Sequence, residues 1–162
     1  MLYWIFDLDY TLYQLPTNIQ FDYVLLNKDP QLKYLLSMLP CYKIIYTNGT
    51  YGHGITCSQI MGIKENFDKI IGRDNLGSLK PSLKSFQKFK KMTNIQENDK
   101  CVFFEDNIDN LITAKSLGWI TVYIGNKKPL STEIDFWFPN INLALNFFVN
   151  KIHNKYNKCF KF

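Results

Sequence analysis

Short unbroken apolar runs recur along the chain, each closed by polar or glycine-containing residues and followed by a stretch with helical spacing. Leu2–Phe6, Lys43–Thr47, Lys69–Gly72, Cys101–Glu105 and Ile120–Ile124 have strand length and are rich in β-branched and aromatic residues. CVFFE and ITVYIG are apolar at successive positions instead of alternating, which predicts strands covered on both faces. Between the runs the period lengthens. Leu32, Leu35, Leu36 and Leu39 share one face of a helix over Gln31–Leu39, with Asp29 as its N-cap and Pro30 in its first turn. Pro81 opens a second helix, Ser82–Met92, striped by Leu83, Phe86 and Phe89, and a third, Asn107–Leu117, stops at Gly118. Ile141–His153 predicts a closing helix, with NKYNKCFKF as a frayed tail. The alternation predicts an α/β fold: a Rossmann-like three-layer sandwich around a central parallel sheet.

No internal repeat or low-complexity linker interrupts the pattern, so residues 1–162 read as a single domain, long enough to bury a core without staples. A hydrophobic share of 46% with 13 Phe and 10 Tyr excludes a disordered chain. The net charge of +5 suits anionic partners, but the lysines are spread out, so nucleic-acid binding is permitted and not indicated. Cys41, Cys57, Cys101 and Cys159 form no CxxC pair and read as buried thiols of a reducing compartment. The start has no basic n-region and no run reaches membrane-spanning length, so the expectation is a soluble cytoplasmic protein without a membrane partner.

One feature of the pattern is costly. The first buried run ends in Asp7 and Asp9, two carboxylates one residue apart, and like charges that close raise each other's proton affinity unless a cation or ligand compensates. In open parallel sheets ligands bind beyond the carboxyl ends of the strands. Thr47, Asn48 and Gly49 end the second run, Glu105 and Asp106 the fourth, and Lys80 precedes a helix that starts on the same rim. Carboxylates gather a hard divalent cation, and that cation with a lysine neutralises a phosphoryl group.

In these residues the chain resembles the haloacid dehalogenase superfamily of phosphatases. DLDYT is similar to its first motif, DxDx[TV]; YTNG to its second; LKP to its third; FFEDNIDN to its fourth. The likeness runs from Met1 to about Asn126, with the four motifs in order. FDLDYTLY, and TNGTYGHGITCSQIMGI followed by a KP-containing helix, most resemble the pyrimidine 5′-nucleotidase type, with His53 among those positions. The resemblance implies Mg²⁺-dependent hydrolysis of a phosphomonoester through an aspartyl-phosphate, a nucleoside monophosphate being one such substrate. It makes Asp7 the nucleophile and Asp9 the general acid and base, a carboxylate that dehalogenating members usually lack. Thr47 and the Asn48 backbone amide would bind phosphoryl oxygens, with Lys80 offsetting charge. Asp106 and Glu105 would hold Mg²⁺ with Asp7 and the backbone carbonyl of Asp9.

Other residues near the motifs have plainer readings. Asn107 and Asp109 suit an N-cap and a first-turn charge, and TNG alone suits a turn. His53 lies within reach of a substrate, yet a lone loop histidine is ordinarily incidental. Tyr10 and Tyr13 occupy the family's flap, facing a base or sugar, or packing. Only residues 14–41 separate the first two motifs, which predicts a minimal or absent cap and an exposed site. That leaves two alternatives: a phosphatase for a macromolecular phosphoester, such as a phosphoprotein or a nucleic-acid end, and a non-catalytic module of the same fold. A receiver-type regulatory domain also uses Asp, Thr and Lys, but its Asp ends a middle strand and the DxD pair is foreign to it. Oligomeric state is not legible.

Overall fold

The computed structural model describes residues 1–16 and 20–159, the last seven of these as backbone alone. Six parallel strands form one sheet: β1 (Leu2–Phe6), β2 (Tyr42–Tyr46), β3 (Lys69–Ile71), β4 (Lys100–Glu105), β5 (Ile120–Ile124) and β6 (Phe136–Phe138), in the order β3-β2-β1-β4-β5-β6. Side chains that alternate along each strand feed two separate cores. Trp4 and Phe6 of β1, with Phe104 and Val122, meet α1 (Pro30–Ser37) and α6 (Ile141–Cys159) on one face. Tyr3 and Ile5, with Tyr46 and Phe103, meet α4 (Leu83–Thr93) and α5 (Ile108–Ser116) on the other. The three-layer α/β fold is therefore as the apolar runs implied, and their lack of alternation follows from a sheet buried twice.

Local chemistry sets the element ends. Asp29 accepts from Leu32 N–H at 2.8 Å and starts α1 at Pro30, one residue before the predicted start. Gly118, at φ +77°, closes the turn after α5. Four features differ from the sequence reading. A short helix, α3 (Arg73–Leu76), follows β3 unpredicted, and Leu83 is exposed while Phe86 and Phe89 are buried. β6 was not predicted, because three residues carry too little periodicity to stand out from the loops around them. α6 runs to Cys159 instead of stopping at His153, so most of the supposed tail is helical, while residues 160–162 lie outside the described residues.

The sheet order places β1 between β2 and β4, so the ends of all three strands abut. Asp7 N–H donates to Phe104 O at 2.9 Å and Thr47 N–H to Ile71 O at 3.0 Å, which carries the strand register into the loops that hold the polar residues. Among the described residues no helix is long and apolar enough to cross a membrane.

Candidate functional site

Lys80 stands at the centre of the rim. Its ammonium is buried and donates to Asp7 Oδ1 at 2.7 Å, Glu105 Oε2 at 2.6 Å and the Tyr46 carbonyl at 2.9 Å. The Tyr46 and Phe103 rings lie 5.0 and 5.2 Å from it, so its remaining surroundings are aromatic. The loop bearing Lys80 is held by Asn48, whose side-chain oxygen accepts from Lys80 N–H at 2.8 Å and whose amide donates to Lys80 O at 3.0 Å. Asn48 thus places the lysine through its side chain, a role the sequence did not suggest, and its own backbone N–H meets no acceptor among the described residues.

Asp7, Glu105 and Asp106 each bring a carboxylate oxygen within 4.8 Å of the other two. Burial first, and then the neighbouring Glu105, push Asp7 up to about 7 against the opposing pull of Lys80. Burial also raises Glu105 and Asp106. For Lys80, burial alone would lower the value, but Asp7 and Glu105 raise it, so the ammonium stays charged. Three carboxylates against one ammonium leave an excess of negative charge in a largely buried cluster, and a divalent cation with oxygen ligands fits that excess.

The three carboxylates are not equally free. Glu105 Oε2 accepts from Lys80 and from Asn110 at 2.9 Å, while Oε1 accepts from the backbone of Asp106 and of Asn107, both at 3.1 Å. Asp7 accepts from Lys80, and Asp106 accepts a long bond of 3.4 Å from Thr11, so these two keep oxygens for a cation. Asp9 does not join the group with its carboxylate. That side chain turns outward, accepting from His53 Nε2 at 2.7 Å, from Thr47 Oγ1 at 3.3 Å and from the Tyr13 hydroxyl. At a cation, only its backbone carbonyl, as the motif resemblance implied, is left to it.

The remaining positions sort plainly. Asn107 Oδ1 accepts from Asp109 N–H at 2.9 Å and caps α5, and both residues are exposed. Tyr10 is exposed at φ +61°, whereas the half-buried Tyr13 reaches Asp9. His53 is not a loop residue. It sits in the first turn of α2 (Tyr51–Ile60), whose N-cap Thr50 accepts from His53 N–H at 3.1 Å. Sequence reasoning missed Thr11, Asn110 and Tyr23 as partners of the site. Thr11 and Asn110 lie inside the motif segments DLDYT and FFEDNIDN, and that proximity was the available signal.

Within residues 14–41 the described part contains one 3-10 turn, Tyr23–Leu25, before α1. α1 sends Leu32, Leu35 and Leu36 into the core, so it belongs to the sandwich and does not roof the rim.

A profile of the haloacid dehalogenase-like hydrolases matches residues 41–124, just over half the chain. Solved structures are similar in fold. L-2-haloacid dehalogenase from Xanthobacter autotrophicus aligns at TM-score 0.62 and 18% identity, over 74% of this chain and 60% of that one. A HAD phosphatase from Thermococcus onnurineus aligns at 0.62 and 21%, over 75% and 57% respectively. A predicted phosphoglycolate phosphatase from Haemophilus somnus aligns at 0.61 and 20%, over 74% and 56%. The chain thus spans less than two thirds of the length of these neighbours.

Proposed function

This chain belongs to the haloacid dehalogenase-like hydrolases, and from that premise we propose that it is a Mg²⁺-dependent phosphatase working through an aspartyl-phosphate on Asp7. The observation that carries this reading is the inner cluster itself: Asp7 shares Lys80 with Glu105, at 2.7 and 2.6 Å, inside a carboxylate group with excess negative charge. Asp7, Asp106 and the backbone carbonyl of Asp9 would hold the ion, which supplies charge neutralisation for an incoming phosphoryl group. Asp9 distinguishes this reaction from dehalogenation, which requires no proton for its leaving halide.

A free oxygen of Asp7 attacks phosphorus while the bond to the leaving oxygen breaks, and Asp9 in its acid form gives that oxygen a proton. Water then attacks the phosphorus of the acyl-phosphate, passes a proton to the Asp9 carboxylate and releases phosphate with Asp7 restored. Lys80 offsets charge on Asp7 and on the phosphoryl group in both steps, and Thr47 and the Asn48 N–H receive phosphoryl oxygens. Glu105 holds Lys80 in place.

For the substrate we put a nucleoside monophosphate first, because exposed tyrosines stand by Asp9: Tyr10 follows it in the chain and Tyr23 touches its partner His53. A macromolecular phosphoester is the second reading, favoured by the absence of a roofing helix between the first two motifs among the described residues. Turnover of nucleoside monophosphates, phosphopeptides and phosphorylated oligonucleotide ends separates the two. The parent reading is tested by hydrolysis of 4-nitrophenyl phosphate with and without Mg²⁺, alongside Asp7→Asn. Undiminished activity in that variant excludes Asp7 as nucleophile.

A further inference from the structure

Building on that phosphatase reading, we propose that His53 is a positioning residue for Asp9, held in turn by Tyr23, so that an aromatic segment ahead of α1 sets the proton donor of the reaction.

The ring is engaged on both nitrogens. Nε2 lies 2.7 Å from Asp9 Oδ1 and Nδ1 lies 3.0 Å from the Tyr23 hydroxyl. A carboxylate only accepts, so Nε2 carries the hydrogen that points at Asp9, and Nδ1 pairs with the Tyr23 hydroxyl, which can donate or accept. With both nitrogens occupied, His53 has no polar atom left for a substrate, which removes the role the sequence allowed it. Its side chain is also mostly buried, at 16% exposure.

The surroundings fix the ring in place. Phe21 packs edge-on against it, with centroids 5.2 Å apart, and Phe21 also meets Tyr23 and Tyr13. Cys57, one turn further along α2, brings its sulfur to 3.6 Å from Nε2. Gly49 gives independent support: a Cβ there would stand 2.6 Å from His53 Cδ2, so glycine is what lets the ring lie close to the second motif. Tyr13 donates to the same Asp9 oxygen, and Thr47 to the other, so His53 completes a three-point hold.

A general acid misplaced by about 1 Å loses much of its effect. Its absence is felt most when the leaving oxygen is a poor leaving group that needs the proton. The test therefore measures kcat/KM, which reports the first displacement, with phenyl phosphate and 4-nitrophenyl phosphate as probes. His53→Leu is expected to lose on the order of tenfold on phenyl phosphate and far less on 4-nitrophenyl phosphate. His53→Gln keeps an N–H near the Nε2 position and recovers part of the loss. Tyr23→Phe, which removes one hydroxyl and leaves the fold alone, shifts the two esters in the same sense by a smaller factor, and decides the matter if His53→Leu does not fold.

An equal loss on both esters, or none, with an active parent protein overturns the positioning role while leaving the phosphatase reading intact. A parent protein inactive on both esters with Mg²⁺ overturns the phosphatase reading, and this inference with it.

Discussion

The inner and outer halves of the rim solve opposite problems. Inside, Asp7, Lys80 and Glu105 are buried and hold one another by charge, at distances of 2.6 to 2.7 Å. Outside, Asp9 is a third exposed and accepts from an imidazole N–H, a phenol and a threonine hydroxyl. The inner half is built where desolvation makes every charge expensive, so it needs a lysine and has room for the charge of the proposed cation. The outer half stays near water, and its carboxylate is placed by hydrogen-bond donors on both oxygens. The proposed nucleophile and proton donor, two residues apart in the chain, are thereby kept in different electrostatic environments, the separation that distinct roles demand.

The largest effect that sharpens this contrast is on the inner half. Asp7→Asn is expected to lower kcat on 4-nitrophenyl phosphate by at least about a thousandfold, with folding retained by circular dichroism. Lys80→Met leaves two carboxylates buried without their ammonium, and should cost about 3–5 kcal/mol of stability in urea denaturation of the metal-free protein. The same substitution made at exposed Lys84, on α4, should cost almost nothing.

Protons give a third test. The folded value of Asp7 lies above its unfolded value of 3.8, at about 7, and Glu105 and Asp106 are raised as well. The folded state therefore binds the extra protons, and their stabilising contribution is complete below pH about 4 and lost as pH rises through about 7. Metal-free protein should lose stability over that window, followed by urea midpoints. Asp7→Asn should lose less over it, and saturating Mg²⁺ should recover stability at the upper end. The smallest effect belongs to the outer half. Gly49→Ala pushes on the His53 ring and should lower kcat/KM on phenyl phosphate by a few-fold, with stability changed by about 1 kcal/mol or less.

The same division decides what the sequence disclosed. Inner residues sit at strand ends and in local patterns: Asp7 closes LYWIF, Glu105 closes KCVFFE, and LKP announces Lys80. Parallel-sheet topology then forces those ends together, so their convergence was legible from the apolar runs. The outer partners have no such anchor. His53 and Tyr23 lie 44 and 14 positions from Asp9, in segments whose packing depends on one aromatic cluster, and no periodicity encodes a ring-to-ring contact. β6 escaped for another reason, since FWF is too short to display a period at all. The side-chain clamp of Asn48 on Lys80 was hidden because TNG satisfies a turn equally well.

The central claim is that Asp7 accepts the phosphoryl group. Protein mixed with 4-nitrophenyl phosphate and Mg²⁺, quenched within a turnover and treated with borohydride, should yield homoserine at position 7 on peptide mapping, because reduction converts an acyl-phosphate to the alcohol. Ester hydrolysis that proceeds under the same conditions while Asp7 stays unmodified would contradict the account.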